Sequence, residues 1–323
     1  MRVHILDDWF DTLRTLPCFD TLAGQDVTVW TDHVEDLDLL AERLREAEAV
    51  VLFRERTKVT PALLARLPNL RLISQRGVYP HVDVSACTDH HVLLCSRVPA
   101  GTPSYAAAEL TWALIMAGMR DLPAQMASTK AGTWQAGVGK TLRGRTIGLF
   151  GYGRIARTVA TYAEAFGMNV VWWSSDVGRA RAKADGARVA ESRDAFFAQS
   201  DVVSLHVRLK PATKGIITAA DLAAMRPGSL FVNTSRAGLI APNALLSALN
   251  NGRPGKAAID VFDKEPLTDP ADPLLAHPNL IATPHIGFVT EDEFDLQFSD
   301  IFDQVVAFDQ GRPIHMINPE IWG

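Results

Sequence analysis

Residues 146–174 leave this chain few ways to fold. Thr146, Ile147, Gly148, Leu149 and Phe150 make a short apolar run with strand character, and Gly151-Tyr152-Gly153-Arg154-Ile155-Ala156 follows at once. A helical pattern comes next, carried by Ile155, Val159, Tyr162 and Phe166. Gly167 ends it, and residues 169–173 read as a second strand. Gly151 permits the tight turn, Gly153 lets a pyrophosphate approach the backbone, and Ala156 lets helix pack on strand. The helix start, with unpaired N–H groups and the positive end of the dipole, then faces the phosphates. The glycine spacing alone is a weak signal. With both strands and the helix in place it implies a βαβ unit that holds a dinucleotide.

The first hundred residues alternate strands (2–6, 27–30, 49–53, 70–74, 91–95) with helices (37–47, 61–67). That alternation predicts a parallel sheet covered on both faces, without the glycine turn. Residues 99–103 break the pattern as a linker, and Ser104 can cap a long helix to about 119. A second helical stretch, 122–131, follows, and the two offer a surface for a homodimer. Beyond residue 173 the pattern predicts helices at 193–199, 219–225 and 242–250. Strands at 202–206, 229–233, 257–261 and 280–283 bring this half to six. An amphipathic helix over 291–310, through Phe294, Phe298, Ile301, Val305 and Phe308, is expected to return to the first half.

Composition excludes several classes. The net charge of −5, with no basic block, predicts neither a nucleic-acid partner nor a polybasic membrane contact. Cys18, Cys87 and Cys95 are odd in number and lack metal-site spacing, so reduced thiols and no metal are expected. No apolar stretch reaches membrane-spanning length, and the chain runs directly into a strand at residue 3. A cytoplasmic protein is the expectation.

Ligands of open parallel sheets sit outside the carboxyl ends of the strands. The polar residues there are His206, then Asn233, Thr234, Ser235 and Arg236, then Asp260, Glu265 and His285. An arginine, an acid-paired histidine and a nicotinamide site suffice for hydride transfer to a ketone. The arginine binds a carboxylate and polarises the carbonyl, and the histidine exchanges the hydroxyl proton.

Four motifs stand in succession: Gly151 to Ala156, Val232-Asn233-Thr234-Ser235-Arg236, Asp260-Val261-Phe262-Asp263-Lys264-Glu265-Pro266, and Thr283-Pro284-His285-Ile286-Gly287. In this order they resemble the D-isomer-specific 2-hydroxyacid dehydrogenases, the family of phosphoglycerate dehydrogenases and glyoxylate/hydroxypyruvate reductases. Over residues 1–100 the recognisable pieces are Gln75-Arg76-Gly77-Val78 and, just beyond, Glu109-Leu110-Thr111. The resemblance implies an α/β fold: a Rossmann NAD(P)-binding domain over 101–290 and a smaller flavodoxin-like substrate domain over 1–100 and 291–323. It implies that Arg236 binds the substrate carboxylate and carbonyl, that His285 is general acid and base, and that Glu265 pairs with His285. Asp260 would contact the nicotinamide side, and Gly77 and Val78 would offer N–H groups to the substrate carboxylate. The expected cofactor-binding residues are Gly151, Tyr152, Gly153, Arg154, Ile155, Ser174, Ser175, Arg179, His206, Val207, Thr213, Thr234, Asp260 and Gly287. A small 2-keto or D-2-hydroxy acid is the expected substrate.

The sequence departs from the pattern where an NAD site carries an acid at the end of the second strand to bind the ribose 2′-OH. Ser174 stands there, with Arg179 and Arg181 close behind and Asp176 also near. The cofactor is NAD or NADP, with the balance slightly toward NADP. Arg76 is a candidate for selecting a larger or anionic substrate. Two other readings compete: a cofactor-sensing, corepressor-like interaction protein, and a formate dehydrogenase-like enzyme. The second would pair its histidine with glutamine instead of Glu265.

Overall fold

The computed structural model describes residues 1–97 and 105–323. The expected linker at 99–103 and the Ser104 cap lie outside the described residues. The chain divides into two compact units, Met1–Pro103 with Val289–Gly323, and Ser104–Phe288.

The first unit holds β1 (Arg2–Ile5), β2 (Asp26–Val29), α1 (Leu37–Leu44), β3 (Ala49–Val51), α2 (Pro61–Leu64), β4 (Leu72–Arg76), α3 (Val84–Asp89) and β5 (Leu93–Arg97). Its strands are all parallel, in the order β2-β1-β3-β4-β5. Each helix opens on a side chain that accepts the N–H groups a helix start leaves unpaired: Asp36 for α1, Thr60 for α2 and Asp83 for α3. The last helix, Glu291–Asp309, starts on Thr290 and carries Glu291, Asp292 and Glu293 in its first turn, where negative charge suits the dipole. Its apolar stripe packs here, with Phe294 and Phe298 at 5.3 and 5.1 Å from Phe53 between ring centres.

β4 and β5 each sit two residues later than the apolar runs suggest. The cause is polar burial. Gln75 and Ser96 lie inside the sheet, with Gln75 Nε2 donating to Ser96 Oγ at 2.8 Å, and Gln304 Nε2 donates to Ser74 Oγ at 2.8 Å. Hydrophobicity alone therefore misjudges where these strands stop.

The second unit begins with α4 (Ala106–Arg120) and α5 (Leu122–Lys130), separated by Asp121 in the left-handed region. Then come β6 (Thr146–Phe150), α6 (Arg154–Ala165), β7 (Asn169–Trp173), α7 (Asp176–Ala184), α8 (Arg193–Gln199), β8 (Val202–Leu205), α9 (Ala219–Ala224), β9 (Leu230–Asn233), α10 (Ala244–Asn250), β10 (Lys256–Ile259) and β11 (Leu280–Ala282). The strands are parallel, in the order β11-β10-β9-β8-β6-β7. Val189 adds a single parallel bridge to Trp172 beyond β7. One face is covered by α4 and α6 through Leu114, Ile115, Val159 and Ala163, and the other by α8, α9 and α10 through Phe196, Phe197, Leu222 and Leu245. Successive crossovers run to opposite sides of β6, so the switch point lies between β6 and β8, where open sheets take their ligands.

The helices α3 and α7 were not legible as periodic patterns. Of its nine residues, α7 buries only Gly178 and Ala182, too little for an apolar stripe; its start is marked instead by the Ser175 hydroxyl. Among the described residues, no helix is long and apolar enough to cross a membrane, and no cluster of His, Cys, Asp and Glu could hold a metal ion.

Candidate active site

The carboxyl ends of the second unit's strands bring the singled-out residues together. Gly151 follows β6 with φ +117, and a Cβ there would lie 2.4 Å from the carbonyl oxygen of His206, which follows β8. Gly153 differs: no atom lies within 4 Å of where its Cβ would stand. It precedes α6, whose start has no side-chain cap, so the first N–H groups of the helix are left for an anion. Arg154 and Ile155 form the first turn of α6. Tyr152 turns inward: its ring packs 4.7 Å from Trp172 and its hydroxyl donates to Asp185 Oδ2 at 2.7 Å.

At the end of β7, Ser174 is followed by Ser175, whose hydroxyl accepts from Gly178 N–H and so starts α7. Arg179 lies one turn in. Its guanidinium is 4.3 Å over the Trp173 ring, Nη1 donates to the Ser174 carbonyl at 2.5 Å, and Nη2 pairs with Asp176. The arginine is thus held at the strand end that the missing acid would occupy. His206 Nε2 lies 2.9 Å from Ser204 Oγ, and desolvation pushes its pKa down to about 4. Val207 borders the Gly151 turn. The Thr213 hydroxyl donates to the Arg208 carbonyl at 2.6 Å and accepts from Lys210 N–H at 2.8 Å, which closes the loop after β8.

Arg236 sits three residues past β9. Asn233 is buried and closes the turn before it: Oδ1 accepts from Ser235 N–H at 3.0 Å and Nδ2 donates to the Arg236 carbonyl at 2.9 Å. Thr234 Oγ1 lies 2.6 Å from Thr111 Oγ1 of α4. Past β10, the buried Asp260 accepts from Thr283 Oγ1 (2.6 Å), Ile286 N–H (2.8 Å) and Gly287 N–H (2.8 Å). Burial pushes its pKa up, against the pull of those donors. Between these anchors His285 takes φ +55, and its Nδ1 lies 2.5 Å from Glu265 Oε2. Glu265 Oε1 accepts from Phe262 N–H at 2.8 Å. Burial works against the Glu265 carboxylate, but the bond and charge of His285, that N–H and the field of Arg236 hold its pKa below the ordinary value.

In the first unit, Gly77 takes φ +96 with open space around it, and Val78 is 61% exposed. Arg76 behaves differently from the expectation of a substrate selector. Its Nε donates to Asp300 Oδ2 at 2.6 Å, Arg97 holds the other carboxylate oxygen at 2.5 Å, and the Arg76 side chain is only 12% exposed. Asn233 stood in the sequence only as a polar residue after a strand, and Arg54 was not singled out. Arg54 lies three residues past the β3–β4 pair Val51 and Ser74, as Gly77 does, which brings it to the same sheet edge.

The acid-paired histidine and the arginine turn thus stand at the carboxyl ends of a parallel six-stranded sheet beside a glycine turn. Residues 112–287 match the family model for the D-isomer specific 2-hydroxyacid dehydrogenase NAD binding domain. The chain is 36% identical over 256 residues to a D-3-phosphoglycerate dehydrogenase of Methanocaldococcus jannaschii, covering 78% of this chain and 48% of that protein. It is 32% identical over 309 residues to a glyoxylate reductase of Aeropyrum pernix, covering 92% and 90%. An oxidoreductase structure from Ralstonia solanacearum superposes with a TM-score of 0.94 at 44% identity, covering 100% of this chain and 98% of that one. The chain spans about half the length of the phosphoglycerate dehydrogenases it matches. It belongs to the D-isomer-specific 2-hydroxyacid dehydrogenase family.

Proposed function

We propose that this chain is a nicotinamide-dependent enzyme that interconverts a small 2-keto acid and its D-2-hydroxy acid. The observation that carries the reading is the His285–Glu265 pair, 2.5 Å apart on a turn braced by Asp260. The residues fit a dinucleotide, since Gly153 leaves open space before an uncapped helix start. Bound there, the nicotinamide supplies or accepts the hydride. Arg236 binds the substrate carboxylate and polarises the carbonyl. Because Nδ1 is engaged with Glu265, the ring's Nε2 is the atom that hands a proton to the carbonyl oxygen in reduction and takes it back in oxidation. Ionised Glu265, its pKa held below the ordinary value, keeps the ring oriented through Nδ1. The Gly77 N–H, expected to meet the substrate carboxylate, is instead donated to the Arg97 carbonyl at 2.9 Å, and Arg54 Nη1 donates to Gln297 Oε1 at 3.3 Å. Arg76 enters as a brace through Asp300. Loss of reduced-nicotinamide absorbance with glyoxylate, hydroxypyruvate, pyruvate and phenylpyruvate tests the reading; no turnover on any 2-keto acid, with cofactor bound, would favour the interaction-protein alternative.

NADP is the proposed cofactor, because Arg179 is held over Trp173 beside Ser174, where NAD enzymes carry an acid. In Arg179→Ala the KM for NADPH is expected to rise about tenfold or more, the worth of a charge-assisted hydrogen bond, with the KM for NADH unchanged. Equal losses for both cofactors would refute the assignment.

A homodimer is proposed through α5 and the segment after it. α5 buries none of its side chains, and Met126, Trp134 and Val138 are 60%, 81% and 93% exposed. Sedimentation of Trp134→Glu should give a monomer where the unaltered chain gives a dimer. An unchanged mass would place the contact elsewhere.

A further inference from the structure

The turn that carries Arg236 and the turn that carries His285 are joined by one chain of hydrogen bonds. The Asn233 side chain is bonded at both ends within its own turn, to Ser235 N–H and to the Arg236 carbonyl. The Asn233 backbone carbonyl accepts from Asp260 N–H at 3.0 Å. The Asp260 carboxylate then takes three donors, all from residues 283–287. Asn233 and Asp260 are each 1% exposed, so neither side chain has water as a substitute partner. The carboxylate type matters at 260. Three donors converge on two oxygens, and an amide would turn one N–H group toward another. His285 itself sits at φ +55, a conformation its neighbours must impose.

We propose that Asn233 and Asp260 are positioning residues that act as one unit, fixing the arginine turn and the histidine turn to a common frame. The proposal rests on the dehydrogenase reading for its kinetic consequences but not for its structural one. Asn233 shares no hydrogen bond with His285 or Glu265 among the described contacts, yet its side chain governs where both catalytic groups stand. The charged groups facing His285 are Glu265, directly bonded, and Asp260, with Arg236 beside Glu265.

The test uses the full chain with neutral substitutions, so that no new charge acts on the ring. In Asn233→Ala, kcat with the best 2-keto acid should fall about a hundredfold, the cost of misplacing reacting groups by around an ångström. NADPH affinity by fluorescence titration should hold. Asn233→Ser should recover part of the loss, since its hydroxyl can still accept Ser235 N–H. Combined with Asp260→Asn, Asn233→Ala should cost little more than the larger single loss, because both break one unit. Independently of turnover, the His285 ring signal, assigned with His285→Gln among the nine histidines, should move from its place in the unaltered chain in Asn233→Ala, and less in Asn233→Ser. An unchanged His285 ring signal in Asn233→Ala, or losses that simply multiply, would overturn the coupling. If the unaltered chain reduces no 2-keto acid, the dehydrogenase reading has failed, and the His285 ring signal still decides whether the two turns share a frame.

Discussion

Replacing His285 with alanine is expected to lower kcat/KM about a thousandfold while leaving NADPH binding intact. The size follows from what a positioned general acid contributes, about 10² to 10⁴ in rate. Binding persists because His285 takes no part in the turn formed by Gly151 and Gly153 or in the start of α6. Glu265→Gln is the informative companion. It keeps an acceptor for Nδ1 but removes the negative charge beside the ring, so kcat should fall while NADPH affinity holds. The acid side has a definite sign. Glu265 is held below its ordinary 4.5 in the folded chain, so the stabilisation from its pairing is fully present above that value. It is lost only as the pH falls through the lower, folded value. Acidification through pH 6 to 5 should therefore leave the carboxylate ionised. A His285→Ala protein that still turns over within tenfold of the unaltered chain would remove the histidine from the chemistry.

The extent to which this site could be read from the sequence depended on the kind of signal each part leaves. β6 and β7 have the expected bounds, because an apolar strand between glycine turns has sharp edges in sequence. The His285–Glu265 contact was readable from a family resemblance and from no local pattern, since twenty residues separate the partners. α7 escaped because its buried positions are a glycine and an alanine, and with it escaped the fact that Arg179 sits one turn into a helix. The partner of Arg76 was hidden for a related reason. A cation before a glycine turn looks like a ligand for an anion, and its partner Asp300 is 224 residues away in sequence. Tyr152 sits within the glycine motif, yet its side chain packs inward, because the residue between two glycines contributes backbone to the turn while its ring is free to join the core.

Gly151 and Gly153 should separate folding from cofactor binding when each is replaced by alanine. At Gly151 the backbone has φ +117, which side chains rarely adopt, and the added Cβ would stand 2.4 Å from the His206 carbonyl oxygen and 2.8 Å from its carbon. Both obstacles are backbone of a neighbouring strand end, so neither can swing away. Gly151→Ala is therefore expected to cost about 3 kcal/mol or more, a fall of about 10 °C in Tm for a domain of this size. At Gly153 the backbone has φ −105, open to any residue, and the Cβ would meet nothing within 4 Å. Gly153→Ala should melt within about 1 °C of the unaltered chain, or slightly above it as the unfolded chain loses freedom. Its cost should appear in the NADPH titration, as affinity reduced about tenfold or more, because the new methyl group occupies the space through which a pyrophosphate reaches the start of α6. Full cofactor affinity in Gly153→Ala would mean that the phosphates do not pass over Gly153, and the proposed orientation of the dinucleotide would have to be abandoned even if Gly151→Ala unfolds as expected.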